Sequence, residues 1–263
     1  MDACQELSSH SNFPPRVALF ITCLVDLMRP SIGFAAAKLL EAAGCEVHVP
    51  ELQTCCGQPA YNSGDRATTQ DLALQTIHAF DGFDYVVAPS ASCAGMLKVH
   101  YPKLFADNLQ HRADAESFAA RVHELISFLV NVRGQSGVSA MYQGQVTYHD
   151  SCASLREVKS AHEARTLLKS MPGVTLTEMA DRDACCGFGG LFSIKYDDIS
   201  NALVTKKTAA VLTSQASMLV GTDLGCLMNI AGKLSRQGSN ITCRHVAELL
   251  AGELSNPPIG AAS

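Results

Sequence analysis

Apolar positions along the chain alternate between short unbroken runs and longer stretches at helical spacing. Residues 17–22 (VALFIT) are nearly all apolar and rich in β-formers, as expected of a strand buried on both faces. Residues 32–43 (IGFAAAKLLEAA) then carry apolar side chains at helical spacing and stop at Gly44. A short strand follows at 46–49. A helix over 66–80 is opened by Ser63-Gly64-Asp65, a buried strand covers 85–88, and another helix begins around Ala94. The order then recurs: strand 146–149, helix 162–171 ended by Pro172-Gly173, strand 174–178, helix 197–212, strand 218–221, and a helix opened by Cys226. Two matching stretches, 121–125 (RVHEL) and 244–249 (RHVAEL), read as the closing helix of each half.

Strands alternating with helices predict βαβ units. The expected fold is α/β, with two pseudo-symmetric domains related by a pseudo-two-fold, each a small, mainly parallel sheet flanked by helices. The first spans 16–132 and the second 146–252; 133–145 is a polar, glycine-containing linker, and 1–15 and 253–263 are tails. With 263 residues, 47% hydrophobic and 17% charged, the chain has ample material for a core. A net charge of −5 without a lysine or arginine cluster argues against a nucleic-acid partner. The start, Met1-Asp2-Ala3-Cys4-Gln5-Glu6, lacks the features of a secretory leader, and no apolar run reaches the roughly 18–20 residues of a membrane span. The expected location is the cytoplasm.

Eleven cysteines change this picture from a generic α/β protein to one with specific chemistry. Cys55-Cys56-Gly57 and Cys185-Cys186-Gly187 are two copies of one motif, each with a lone cysteine before it (Cys23, Cys152) and another after it (Cys93, Cys226). The offsets between copies are 129, 130 and 133 residues, so one repeated pattern places eight thiols. Each of these cysteines follows a predicted strand, and ligand sites of parallel sheets form outside the carboxyl ends of strands. Four thiols in each half are therefore expected to converge at its sheet edge. In a reducing compartment such sets hold metal rather than form disulfides. Four thiolates suit zinc or an iron–sulfur cluster. Structural zinc usually draws on C-x₂₋₄-C knuckles, and directly adjacent cysteines suit several irons better. Gly57, Gly187, Gly189 and Gly190 are expected to let the backbone approach the cofactor and aim N–H groups at sulfur.

The stretches Thr54-Cys-Cys-Gly-Gln-Pro-Ala-Tyr-Asn-Ser-Gly64, Ala88-Pro-Ser-Ala-Ser-Cys93, Tyr148-His-Asp-Ser-Cys152, Cys185-Cys-Gly-Phe-Gly-Gly190 and Thr222-Asp-Leu-Gly-Cys226 resemble the cysteine-rich CCG domain superfamily. Within it they are most similar to the iron–sulfur subunits of bacterial L-lactate utilisation complexes, over about residues 17–250. The resemblance implies one or two iron–sulfur clusters per chain, of the 4Fe–4S type, with Cys23, Cys55, Cys56, Cys93, Cys152, Cys185, Cys186 and Cys226 as ligands. Zinc in one half is the other metal reading. It also implies electron transfer during oxidation of L-lactate to pyruvate, beside two other subunits that would bring any peripheral membrane association. Other members act on heterodisulfides or thiols, glycolate or glycerol 3-phosphate, and a zinc-bound or metal-free scaffold is the non-redox reading. The fuller family pattern ends each half in C-x₂-C, giving five cysteines and non-cubane clusters. Here Ser90 and Asp223 stand at the first of those positions, so four thiols per half remain, enough for a cubane.

Other residues carry blander readings. Cys45 is expected to be a buried packing thiol, with Cys4 and Cys243 incidental. His149 is read as a hydrogen-bonded neighbour of the site, with ligation or proton relay as the sharper roles; His48, His123 and His245 are read as structural. Arg29 and Arg156 either face the cluster edge, where a guanidinium would offset thiolate charge or hold a carboxylate, or form surface ion pairs, Arg156 with Glu157 or Asp150. Lys195 and Tyr196 are open in the same way. No G-x-G-x-x-G follows a strand, and neither a P-loop nor G-x-S-x-G occurs.

Overall fold

In the computed structural model, which describes residues 13–261, the chain builds two four-stranded sheets whose paired strands all run parallel. The first contains β1 (Arg16–Leu19), β2 (Glu46–His48), β3 (Tyr85–Ala88) and β4 (Val122–Glu124), in the order β2-β1-β3-β4. The second repeats this with β5 (Gly144–His149), β6 (Val174–Leu176), β7 (Met218–Gly221) and β8 (Thr242–His245), in the order β6-β5-β7-β8. In both, the chain steps outward from the first strand and then returns to its other side. Connections leave the first and third strands in opposite directions there, which opens a crevice at their carboxyl ends.

The apolar runs are continuous because both faces of each sheet are covered. Val17, Leu19 and Val87 point to one side, while Ala18, Phe20, Val86 and Ala88 point to the other. The inner faces of the two sheets share a single core: Val146, Tyr148 and Val220 from the second sheet join Val17 and Leu19 from the first. Helices Ser31–Ala42, Ala161–Ser170 and Val246–Leu250 contribute Leu40, Leu167 and Leu249 to that layer. Across the same boundary Arg29 Nε pairs with the buried carboxylate of Glu248 at 2.8 Å, and Ser31 Oγ donates to the same oxygen at 2.7 Å.

The helices expected at 32–43, 66–80, 162–171 and 197–212 are present as Ser31–Ala42, Arg66–Ala79, Ala161–Ser170 and Asp197–Thr213. The two closing helices need correction. Val122–Glu124 and Thr242–His245 are the fourth strands, and helix begins only beyond them, at Leu125–Ser127 and Val246–Leu250. An apolar–polar mixture of three or four residues fits either period, and pairing with β3 or β7 decides it. Glu124 and His245 end these strands and cap the short helices, Glu124 by accepting from Ile126 and Ser127 N–H, His245 by accepting from Ala247 N–H through Nδ1. Strand β5 starts at Gly144, inside the stretch read as linker, and Ile259 of the expected tail is buried and bridges to Cys243. The reading of Cys4 falls outside the described residues.

Candidate metal centre

Three of the four lone cysteines are positioned by one local device. A strand ends, a hydroxyl residue caps the next helix, and cysteine sits in its first turn. Thr22 caps Cys23–Met28, Ser90 caps Ala91–Gly95 and Ser151 caps Cys152–Arg156, each accepting a backbone N–H. The fourth site departs from it. Asp223 precedes helix Leu224–Arg236 but makes no side-chain cap; its carboxylate accepts from Ser90 Oγ and Ser92 N of the first half, both at 2.9 Å. The two residues that replace the fifth cysteines are thus bonded to each other across the boundary between halves.

The double-cysteine loops are held from below in matching ways. Tyr101 Oη donates to the Cys56 carbonyl at 3.1 Å, and Asn229 Nδ2 to the Cys186 carbonyl at 2.8 Å. Gly57 and Gly187 both sit in the left-handed region, at φ 82° and 79°. A Cβ on Gly187 would lie 2.5 Å from the Ser200 carbonyl oxygen, so this loop rests directly on helix Asp197–Thr213. Gly187 N–H points at Cys185 Sγ (3.3 Å) and Phe188 N–H at Cys186 Sγ (3.5 Å). Gly189 and Gly190 continue with positive φ and line the same cavity.

All eight patterned cysteines line one cavity of about 360 Å³ between the halves. Two sites at two sheet edges were expected; the structure turns both edges onto a common space. Cys23 and Cys55 Sγ are 3.7 Å apart, Cys56 and Cys93 3.5 Å, and Cys186 and Cys226 2.8 Å. The ten cysteines among the described residues are all free. Hydrogen bonds from Cys23 and Cys56, with the Gly57 N–H, hold the Cys55 thiol down at about 3. Cys152, Cys186 and the Gly187 N–H hold Cys185 down at about 2. Their neighbours Cys23, Cys56, Cys152 and Cys186 are pushed up, first by hydrogen bonding to those thiolates and then by burial. One thiolate per half is thus favoured by the protein alone, and full ionisation of four clustered thiols needs a cation.

His149 is the residue whose place the sequence least revealed. It is 1% exposed, both ring nitrogens lack a hydrogen-bond partner among the described residues, and it lies with the Cys186 and Cys226 sulfurs inside 4.8 Å. Burial, then the charge of Lys207, push it down to about 3, so the ring is neutral. The turn presenting it is fixed by buried Asp150, which takes two N–H bonds from Arg165, both at 2.8 Å. The motif His149-Asp150-Ser151-Cys152 was the only signal for it.

Of the remaining candidates, only the charge of Arg156 is felt at a patterned thiol, that of Cys152. Arg29 is committed to Glu248, and Arg156 is exposed, while Asp150 belongs to Arg165. Lys195 and Tyr196 are exposed, and His48 contacts Glu46. His123 packs against Tyr85 and Phe128, and His245 Nε2 lies 2.8 Å from the Thr222 carbonyl oxygen. Cys45 and Cys243 are buried in the hydrophobic core. The charged residues that line the cavity are both acidic, Glu157 and Asp223. Glu157 reaches across to Gly95, where a Cβ would meet its Oε2, and its Oε1 lies 3.4 Å from His100 Nε2.

The cysteine-rich CCG domain matches the chain twice, at residues 17–98 and 146–231. Relatives named lactate utilization protein A from Bacillus velezensis and Geobacillus thermodenitrificans are each 43% identical over 235 residues, 89% of this chain and 98% of theirs. One from an Exiguobacterium species is 44% identical over 238 residues, 90% of this chain and 97% of its own. A crystal structure of a hypothetical protein from Helicobacter pylori shares the fold, with a TM-score of 0.62 at 11% identity over 93% of this chain; this chain spans 50% of that one. No helix among the described residues is long and apolar enough to cross a membrane. With both repeats matched and relatives aligned along nearly their whole length, the chain belongs to the cysteine-rich CCG family, among the lactate utilization A proteins.

Proposed function

We propose that this chain is an iron–sulfur electron-transfer subunit of a complex that oxidises L-lactate to pyruvate with two other subunits. The observation that carries the reading is the gathering of eight free thiols, four from each half, around one cavity. The donor set fits the group. Cys23, Cys55, Cys56 and Cys93 would hold one 4Fe–4S cluster, and Cys152, Cys185, Cys186 and Cys226 the other, one cysteine per iron. Such clusters, when bound, supply one-electron redox chemistry at a potential set by hydrogen bonds, charge and burial. The chain's own part is to aim Gly57, Gly187 and Phe188 N–H groups at sulfur, to bury Cys56 and Cys186, and to shield the site between the halves. Ser90 and Asp223 direct their polar groups at each other, which favours the four-thiol cubane over a five-cysteine centre.

The cavity itself is a poor place for lactate. A carboxylate entering it would meet Glu157, Asp223 and the thiolates without an arginine or lysine among the described lining residues. Lactate oxidation, which releases two electrons and two protons, therefore belongs to a partner subunit. Zinc is the second reading, favoured by the His149–Cys186–Cys226 grouping, a donor set zinc accepts. Iron, acid-labile sulfide and zinc counts on anaerobically purified protein, with electron paramagnetic resonance, separate the two. The expected result is iron and sulfide in equal amounts, and reduction of the centres by lactate only when the partner subunits are present. Near-zero iron with one zinc per chain would overturn the proposal.

A further inference from the structure

The repeat is unequal in what stands behind the thiols. Three residues before Cys152 is His149, buried, without a hydrogen-bond partner among the described residues, and within 4.8 Å of the Cys186 and Cys226 sulfurs. Three residues before Cys23 is Phe20, fully buried against Phe80 with ring centroids 5.4 Å apart. The second inequality lies beneath the double-cysteine loops. Gly57 packs on Thr69 and Leu72, and Gly187 on Ser200 and Leu203. Seven residues after Thr69 comes Thr76, while seven after Ser200 comes Lys207, a fully buried ammonium donating to the carbonyls of Asp181 (3.1 Å) and Arg182 (2.8 Å).

We infer that the two halves hold centres of unequal reduction potential, the second-half centre being the higher. With the centre bound, His149 would offer its ring N–H to the Cys186 or Cys226 sulfur, and buried Lys207 adds positive charge to that half, where the equivalent positions of the first half carry Phe20 and Thr76. This rests on the iron–sulfur reading above. Hydrogen bonds to sulfur and nearby positive charge both favour the reduced, more negative form of a cluster. The nearby carboxylates do not cancel the difference. Asp150 is neutralised by Arg165, and the two cavity-lining carboxylates both lie at the boundary and act on both centres, Asp223 bonded to Ser90 and Ser92 and Glu157 set against Gly95 of the first half. An electron shared between the halves rests on the second, which makes that half the exit toward the acceptor.

The test is a mediated redox titration of the anaerobically isolated full chain, followed by electron paramagnetic resonance. Cys186→Ala removes the second-half centre and so identifies its signal, which is expected to be the one with the higher midpoint. His149→Leu lowers that midpoint enough to shift the electron distribution between halves at least tenfold, about 59 mV for a one-electron couple. His149→Gln, which keeps a donor, holds the midpoint near its original value, and Lys207→Met lowers it. Loss of the lower-midpoint signal in Cys186→Ala overturns the inference, as does an unmoved midpoint in both His149→Leu and Lys207→Met. Should His149→Leu fail to fold, the signal assignment and Lys207→Met decide the question. A protein without iron and sulfide instead sinks the electron-transfer reading, before any midpoint is measured.

Discussion

Arg29 and Glu248 join the two halves, and removing the arginine is the most direct probe of that junction. Glu248 has no exposed side-chain surface and Arg29 only 12%, so their ion pair is shielded from water. Glu248 also receives Ser31 Oγ at 2.7 Å and the His245 N–H at 3.2 Å. Arg29→Met keeps the length of the side chain but leaves a buried carboxylate without its cation. Breaking a buried pair from one side costs about 3–5 kcal/mol, and replacing both members with apolar residues of similar volume is often close to neutral. For a chain of this size each kcal/mol moves Tm by about 2–4 °C, so the variant should melt roughly 6–20 °C lower. Thermal unfolding of Arg29→Met, Glu248→Met and the double variant checks this, with the double variant expected to regain much of the loss. A shift below about 1 kcal/mol in Arg29→Met would refute the reasoning, because that is the scale of an exposed pair. An unchanged Tm with a moved cluster potential would restore the sequence-based view of Arg29 as a neighbour of the cofactor.

Gly187→Ala should destabilise far more than Gly190→Ala: both carry positive φ, costing about 1–2 kcal/mol for a Cβ, but only at Gly187 would it strike the Ser200 carbonyl, and equal losses in thermal unfolding would contradict this. Cys45→Ser buries a hydroxyl in the shared core and should cost about 1–3 kcal/mol with iron content unchanged, whereas Cys186→Ala should remove about half of the iron. Burial raises Glu124 to about 7 despite its two capping N–H bonds. Its carboxyl stays protonated in the folded chain while the unfolded one ionises, so its contribution to stability falls as pH rises from about 4.5 to 7 and levels off above. Denaturant titrations should show wild type losing stability relative to Glu124→Gln across this range, because the opposite pH dependence of buried neutral histidines such as His149 is common to both proteins.

Much of the architecture was legible because both sheet faces are covered. Apolar runs such as 17–22 and 85–88 have no polar interruption to blur them, and the repeat of strand, cysteine and helix supplied a second reading of each element. The fourth strands were missed because Val122–Glu124 and Thr242–His245 are short and carry glutamate, histidine and arginine inward, where caps occupy Glu124 and His245 and Arg244 Nη2 donates to the Leu254 and Asn256 carbonyls. The thiol positions followed from spacing alone. Their surroundings did not, since Lys207 looks like any lysine of a solvated helix, and the cross-boundary partners of Arg29 and Asp223 lie 219 and 133 residues away.

Two thiol sets on one cavity demand an explanation that two independent modules would not. Were each half a self-contained cluster carrier, nothing would require Asp223 to forgo its helix cap, or Gly95 to stay small so that Glu157 can lie against it. Both arrangements instead stabilise a fixed approach of the halves, alongside the Arg29–Glu248 pair and the common core. A fixed approach matters for electron transfer between two sites because it sets their separation without a moving part. Ser90 and Asp223 occupy the positions where the fuller family pattern has further cysteines. There this chain carries a hydrogen-bonded clamp between its halves. That arrangement suits the electron transfer between two held centres proposed above, since a clamp fixes distance and a fifth thiolate would alter the centre itself.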